Sequence, residues 1–197
     1  MKKTIIIATQ NLGKLKEFEV ALSTFFDDFL SLKDLNDHDE VEETGSTYQE
    51  NAQLKARYFY EKYQLPVIAD DSGLEIMNLN RYPGIYSARI GQNDQERRHI
   101  ILNKLSNISN REAFMVTHLT YIDHNGMYDV ESNVKGSISL SQEGNHGFGY
   151  DAIFIPEGYT KTFASLQPSE KLKVSHRGQA ILKFIEYLKE KKHESNH

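Results

Sequence analysis

The chain has 197 residues, a formal charge of −5 and no cysteine, so it can bury a substantial core but can hold no disulfide, thiolate metal site or cysteine nucleophile. With 39% hydrophobic and 26% charged residues it fits a folded soluble protein and excludes wholesale disorder. A mildly acidic protein has no general attraction for nucleic acid or an anionic membrane, which favours a small ligand, and any metal must be held by oxygen or imidazole.

The β-branched run Thr4–Ala8 predicts a buried strand, followed by a turn at Thr9–Gly13. Ile5–Ala8 is too short for the apolar core of a signal peptide, and no run approaches a membrane span, so a cytoplasmic location is expected. From Lys14 the pattern turns helical, with Leu15, Phe18, Leu22 and Phe25/Phe26 on one side. Asp34–Glu43 is acidic and reads as a solvated loop. A second helix is expected over Tyr48–Tyr63, with Thr47 and Glu50 forming a capping box. Leu65–Ala69 is a short strand that ends at Asp70-Asp71-Ser72-Gly73. Polar residues gathered at a strand end are the usual place of an α/β active site.

Tyr82-Pro83-Gly84 signals a turn, and Asp94–Leu105 a short charged helix. Ala113–Asp123 alternates like a half-exposed strand, with His124-Asn125-Gly126 as a hairpin turn and Met127–Lys135 as the returning strand. Gly136–Leu140 is a candidate third strand, so the middle of the chain reads as an antiparallel lobe inserted in an α/β frame. The glycine-rich Gly144–Gly149 leads to a strand at Ala152–Ile155. The last helix is expected over His176–Lys192, and the charged tail from Lys189 is expected to fray.

Five segments could carry chemistry, and each has a plainer reading. The loop Thr9–Lys14 opens a helix, where free N–H groups and the dipole favour phosphate; alternatively it is a capped helix with a solvated lysine. Asn51 and Lys55 share a helix face behind Glu43 and could meet a metal–phosphate unit; alternatively they are surface groups. Asp70-Asp71 repel one another unless a cation joins them, and either could take a proton from water; alternatively this is an Asp-rich turn. Gly147-Phe148-Gly149-Tyr150-Asp151 allows close ligand approach and an aromatic plate, or is a tight turn with Phe148 in the core. Lys171 with His176-Arg177 offers donors to a flat acceptor edge, or is a solvated helix start.

Taken in order, the motifs resemble the inosine triphosphate pyrophosphatase family, the non-canonical purine nucleoside triphosphate pyrophosphatases of the RdgB/HAM1 type. The matching pieces are Ala-Thr-Gln-Asn-Leu-Gly-Lys at 8–14, Glu-Glu-Thr-Gly-Ser-Thr-Tyr-Gln-Glu-Asn-Ala at 42–52 with Lys55, and Ala-Asp-Asp-Ser-Gly-Leu at 69–74. Pro-Gly-Ile-Tyr-Ser-Ala-Arg at 83–89, Gly-Phe-Gly-Tyr-Asp at 147–151, Glu170-Lys171 and Ser-His-Arg-Gly at 175–178 complete the set.

The resemblance implies a single domain over 1–197, of α/β class, with an elongated mixed sheet and two lobes flanking a central active-site cleft, as in ITPase and Maf proteins. It implies a homodimer, Mg²⁺, and hydrolysis of ITP, dITP and XTP to monophosphate and pyrophosphate. It makes Asp71 the catalytic proton acceptor and a metal ligand, with Glu43 and Asp70 as further metal ligands. Thr9, Asn11, Lys14, Lys55 and Ser72 become phosphate contacts. Phe148, Gly149, Tyr150, Asp151, Lys171, His176 and Arg177 become the base site, with Arg177 and His176 donating to the 6-oxygen that adenine lacks. Two stretches depart from the family pattern, Asn80-Arg81-Tyr82 and Ser165, and bear on local loop shape. The alternatives are a Maf-like pyrophosphatase for modified pyrimidine or methylated nucleotides, and a nucleotide sensor that binds without cutting.

Overall fold

Ile5, Ile6 and Ile7 are almost wholly buried in strand β1 (Thr4–Ile7), as their β-branched run predicts. The computed structural model describes residues 3–194. Helix α1 (Leu12–Leu22) follows and buries Phe18 and Leu22. Phe25 and Phe26 fall beyond its end. Strand β2 (Asp28–Ser31), which the sequence pattern did not reveal, pairs parallel to β1. Helix α2 (Tyr48–Tyr63) has the expected bounds, and Thr47 Oγ1 accepts from Glu50 N at 3.1 Å. The returning arm of the capping box differs: the Glu50 carboxylate takes Ser46 N at 2.6 Å.

Strand β3 (Val67–Ile76) runs well past the expected end at Ala69. Asp70 and Asp71 therefore stand inside a strand, where flanking apolar residues on both sides hold the extended backbone. Strand β4 (Tyr82–Pro83) returns antiparallel against Glu75 and Ile76. Asn80 and Arg81 lead into it with φ of 52° and 63°, the left-handed region that favours glycine. The Arg81 guanidinium is held on the Glu75 carboxylate at 2.8 Å.

Helix α3 (Asp94–Lys104) precedes strand β5 (Glu112–Asp123) and strand β6 (Gly126–Ile138), joined at His124-Asn125. Two expectations change here. β5 is buried along most of its length rather than half-exposed, and β6 is one continuous strand rather than two. Strand β7 (Phe154–Pro156) pairs antiparallel with β6. Helix α4 (Pro168–Val174), with Pro at its start, was not foreseen. Helix α5 (His176–Glu194) continues through Lys189, where fraying was expected; residues 195–197 lie outside the described residues.

The seven strands form one mixed sheet in the order β2-β1-β3-β5-β6-β7, with β4 on β3. The chain divides into two compact units: Met1–Asp71, His118–Glu131 and Ala180–His197 make the first, and Ser72–Thr117 and Ser132–Gln179 the second. In the first, Ile6, Ala8, Ala56, Phe59, Val67 and Ala69 share a core. Small Ala52 and Ala56 are fully buried, so α2 can lie close to its neighbours. Burying Phe59 alone stabilises that contact by roughly 1.5–3 kcal/mol. In the second, Leu74, Ile101, Tyr150, Phe154 and Phe163 pack together. No helix among the described residues is long and apolar enough to cross a membrane.

The acidic run Asp34–Glu43 is a mostly exposed loop, as expected, with Asp37 its one buried residue. Asp37 is buried and accepts from Lys62 Nζ at 2.8 Å and Tyr63 Oη at 2.6 Å, two donors at the end of α2. These bonds hold its carboxyl down at about 2, below the ordinary 3.8.

Candidate active site

Within the first unit, charged side chains from α1, α2 and β3 form one group. Asp70 Oδ2 meets Lys14 Nζ at 3.1 Å. Lys55 Nζ donates to Glu43 Oε1 at 2.6 Å and to the Asp70 carbonyl at 2.8 Å. Asp71 Oδ2 accepts from Asn51 Nδ2 at 3.1 Å. The Asn51 amide is oriented in turn, because its Oδ1 accepts from Gly45 N at 2.8 Å. Successive residues of a strand point to opposite faces, so the adjacent acids take separate partners. Their mutual repulsion is thus relieved inside the protein, by a lysine and an amide.

Asp71 is 7% exposed. Burial pushes its carboxyl up from the ordinary value; Glu43 adds to the rise, while Lys55, Lys14 and the Asn51 bond oppose it. A buried carboxylate with a raised pKa, oriented by an amide and facing two lysines, suits a proton acceptor beside a polyanion.

The first loop departs from expectation in one respect. Asn11 Oδ1 accepts from Gly13 N at 2.9 Å and Lys14 N at 3.1 Å, so it caps α1 and two of the N–H groups expected to face phosphate are engaged. Thr9 Oγ1 likewise accepts from Asn11 N at 3.1 Å. The charge of Lys14, the amide nitrogen of Asn11 and the hydroxyl hydrogen of Thr9 are what this loop can offer.

Among the described residues no three Asp, Glu or His side chains gather as a metal cage. Mg²⁺ does not require one: it is usually bound through one or two carboxylates, with substrate phosphates and water completing the shell. Glu43, Asp70 and Asp71 carry only oxygen donors, the type such a one- or two-carboxylate site uses.

Within the second unit, the other expected residues form a group of their own. Gly147 and Gly149 have φ of 76° and 58°. A Cβ on Gly147 would lie 2.0 Å from Asp151 Oδ2, so only glycine fits there. Asp151 Oδ2 accepts from Phe148 N at 2.9 Å and from Lys171 Nζ at 2.6 Å. Lys171 Nζ lies 4.8 Å, and Arg177 Cζ 5.4 Å, from the centre of the Phe148 ring. Arg177 Nη2 donates to Ser72 Oγ at 2.9 Å, so Ser72 sits with the base-site residues of this unit.

Asp151, Lys171, His176 and Arg177 are all buried, contrary to the reading of a solvated helix start. His176 stacks near Phe163 at 6.5 Å. Ser175 Oγ caps α5 by accepting from Gly178 N at 3.0 Å. A Cβ on Gly178 would lie 1.7 Å from the Leu172 carbonyl, so glycine is what lets α4 and α5 approach so closely. Tyr150 is corrected: its ring belongs to the core and its hydroxyl donates to the Ser87 carbonyl at 2.6 Å, which leaves its backbone as the part a ligand could meet.

The roles implied by the family resemblance leave out Asn51, Asp94 and Arg98, although the spacing had already paired Asn51 with Lys55. Asp94 and Arg98 had no such signal, because their partner is the backbone of Gly149, distant in sequence.

Residues 5–187 match the model of the Ham1 family. A dITP/XTP pyrophosphatase of Aquifex aeolicus is 40% identical, over 94% of this chain and 96% of the relative. One from an Exiguobacterium species is 42% identical, over 91% and 93%. Among solved structures, the Staphylococcus aureus Ham1 protein superposes with a TM-score of 0.84 at 38% identity, over 96% of this chain and all of that one. A HAM1 protein from Coxiella burnetii gives 0.82 at 35% identity, over 95% and 99%.

Proposed function

The chain belongs to the Ham1 family, and from that premise we propose that it hydrolyses dITP, XTP and ITP to the monophosphate and pyrophosphate. The activity named for its relatives supports this reading. The observation that carries it is the buried Asp71 carboxylate, oriented by Asn51 and facing Lys14 and Lys55.

In this mechanism Asp71 accepts the proton of the water that attacks the α-phosphorus. Asn51 holds Oδ2, so the carboxylate meets the water in a fixed orientation. Lys14 and Lys55 exchange their carboxylate partners for phosphate oxygens and stabilise the charge that grows on departing pyrophosphate. Thr9 and Asn11 supply further polar contacts to the triphosphate. One or two of the carboxylates of Glu43, Asp70 and Asp71 would hold Mg²⁺, which would neutralise phosphate charge and polarise the phosphorus. Phe148 stacks on the base, and Arg177 and His176 donate to its 6-oxygen. A 6-amino group in that place would leave buried donors unpaired, which discriminates strongly. The homodimer expected from the resemblance is part of the same reading and is checked by sedimentation equilibrium.

The test is pyrophosphate release from ITP, XTP, ATP and GTP with Mg²⁺, beside Asp71→Asn. Rapid release from the first two, reduced about 10²–10⁴-fold by the substitution, is the expected result. Equal cleavage of all four would overturn the base selectivity. Binding without cleavage would make the protein a sensor.

A further inference from the structure

Phe148 rides on a loop with a glycine on either side, and such a loop is mobile unless its backbone is held. It is held by helix α3. Asp94 Oδ2 accepts from Gly149 N at 2.7 Å, and Arg98 Nη1 donates to the Gly149 carbonyl at 2.6 Å. The two residues are four apart, so they lie on one face of the helix. Between them they take hold of the peptides on both sides of Gly149.

Each gripping side chain is fixed in turn. Asp94 Oδ1 takes Arg97 Nη1 at 2.6 Å, which leaves Oδ2 directed at the loop. Arg98 Nε donates to Gln142 Oε1 at 2.7 Å. Asn93 caps the helix through Glu96 N at 2.9 Å and sets the start of α3. Since Asp151 takes Phe148 N, the amides before and after the Phe148 Cα are each bound by a carboxylate.

We propose that Asp94 and Arg98 are positioning residues for purine selectivity, acting through the Gly149 backbone to set the tilt of the Phe148 ring. The inference rests on the base-stacking role given to Phe148 above. A stacked purine inherits the plane of the ring beneath it. A tilt of a few degrees displaces its 6-position by a sizeable fraction of a hydrogen-bond length, enough to weaken donors with fixed directions. Loosening the grip should therefore cost the preferred base more than adenine.

The chain contains no tryptophan, so Phe148→Trp places one reporter at the plate. In that background, Arg98→Ala is expected to lower the fluorescence anisotropy and raise quenching by acrylamide, with the melting temperature near that of the parent. Asp94→Asn, which keeps the shape of the side chain, should do the same to a smaller degree. In the native-Phe148 enzyme, Arg98→Ala should raise KM for ITP about tenfold, the scale of one charge-assisted hydrogen bond. That rise should exceed any fall in kcat, and the preference for ITP over ATP should shrink. Arg98→Lys, which keeps a donor, should recover part of both.

Unchanged anisotropy and unchanged KM would overturn the proposal. So would a loss that falls equally on ITP and ATP, or one that merely tracks the melting temperature across the three variants. The reporter keeps the two ideas apart: if the wild type cuts no ITP, the proposed function fails, while the anisotropy still reports whether α3 holds the loop.

Discussion

The two groups of expected site residues are built in opposite ways. In the first unit the charges stand on regular elements: Asp70 and Asp71 on β3, Asn51 and Lys55 on α2, Lys14 on α1. Their places are fixed by backbone ladders and by the packing of Ala56, Phe59 and Ala69. In the second unit the plate sits on a loop, held by side chains that grip backbone atoms: Asp151 on Phe148 N, and Asp94 and Arg98 on Gly149. Phosphoryl-type chemistry needs fixed charge at the reacting atoms, which the sheet and helices would supply. Base recognition needs a shaped, dry surface, which buried cations around an aromatic ring would supply.

If the first group acts on the reacting phosphates, its substitutions should lower kcat. Lys55→Met should show the largest effect after Asp71→Asn. It removes the donor to Glu43 and to the Asp70 carbonyl, and a fall in kcat of about 10²–10³ is expected for a lost charge-stabilising donor. The pH profile adds a second reading. Lys55 opposes the upward push on the Asp71 carboxyl, so without it that group rises further. In the proposed mechanism Asp71 works as the deprotonated base, so activity should be lost as pH falls through its pKa. The acid limb of the variant should therefore lie at higher pH than that of the wild type. A limb that stays in place would detach Asp71 from the titration.

The same contrast explains what the sequence disclosed. Periodicity placed α2 to the residue and put Asn51 and Lys55 on one face, because an amphipathic helix carries its own phase. The strand through Asp70-Asp71 was read too short, since two acids look like a turn when their partners, Lys14 and Asn51, are out of view. Collinear motifs supplied the remaining expected residues, but burial of Asp151, Lys171 and Arg177 was invisible, because it depends on neighbours distant in sequence. The clamp on Gly149 left no local mark, as a backbone partner carries no residue type.

The second group should respond through KM. Arg177→Ala removes a buried guanidinium that bonds Ser72 and lies over Phe148. A rise in KM for ITP of about tenfold or more is expected, with a smaller change in kcat and little effect on any turnover of ATP. Steady-state kinetics on both nucleotides check this. If kcat fell while KM held, the division of labour between the groups would be wrong.

The smallest effect comes from an ion pair on the same helix as Lys55. Lys62 lies seven residues along α2 and binds Asp37, as Lys55 binds Glu43. Both acids belong to the acidic run expected as a solvated loop. The difference is that Asp37 is also held by Tyr63 and nothing in its surroundings suggests chemistry, so its role is to fasten that run to α2. Asp37→Asn should therefore leave the kinetics alone and lower stability near neutral pH by about 1.5–3 kcal/mol, the worth of hydrogen bonds to a charged group. The sign with pH follows from a folded pKa of about 2 against the ordinary 3.8. The stabilisation is complete above the unfolded value and disappears as pH falls through the folded one. Denaturant melts at pH 7 and across pH 4 to 2 should show the gap between wild type and variant closing on the acid side. A gap that persists at pH 2 would mean that the carboxylate's charge is not what holds the run to α2.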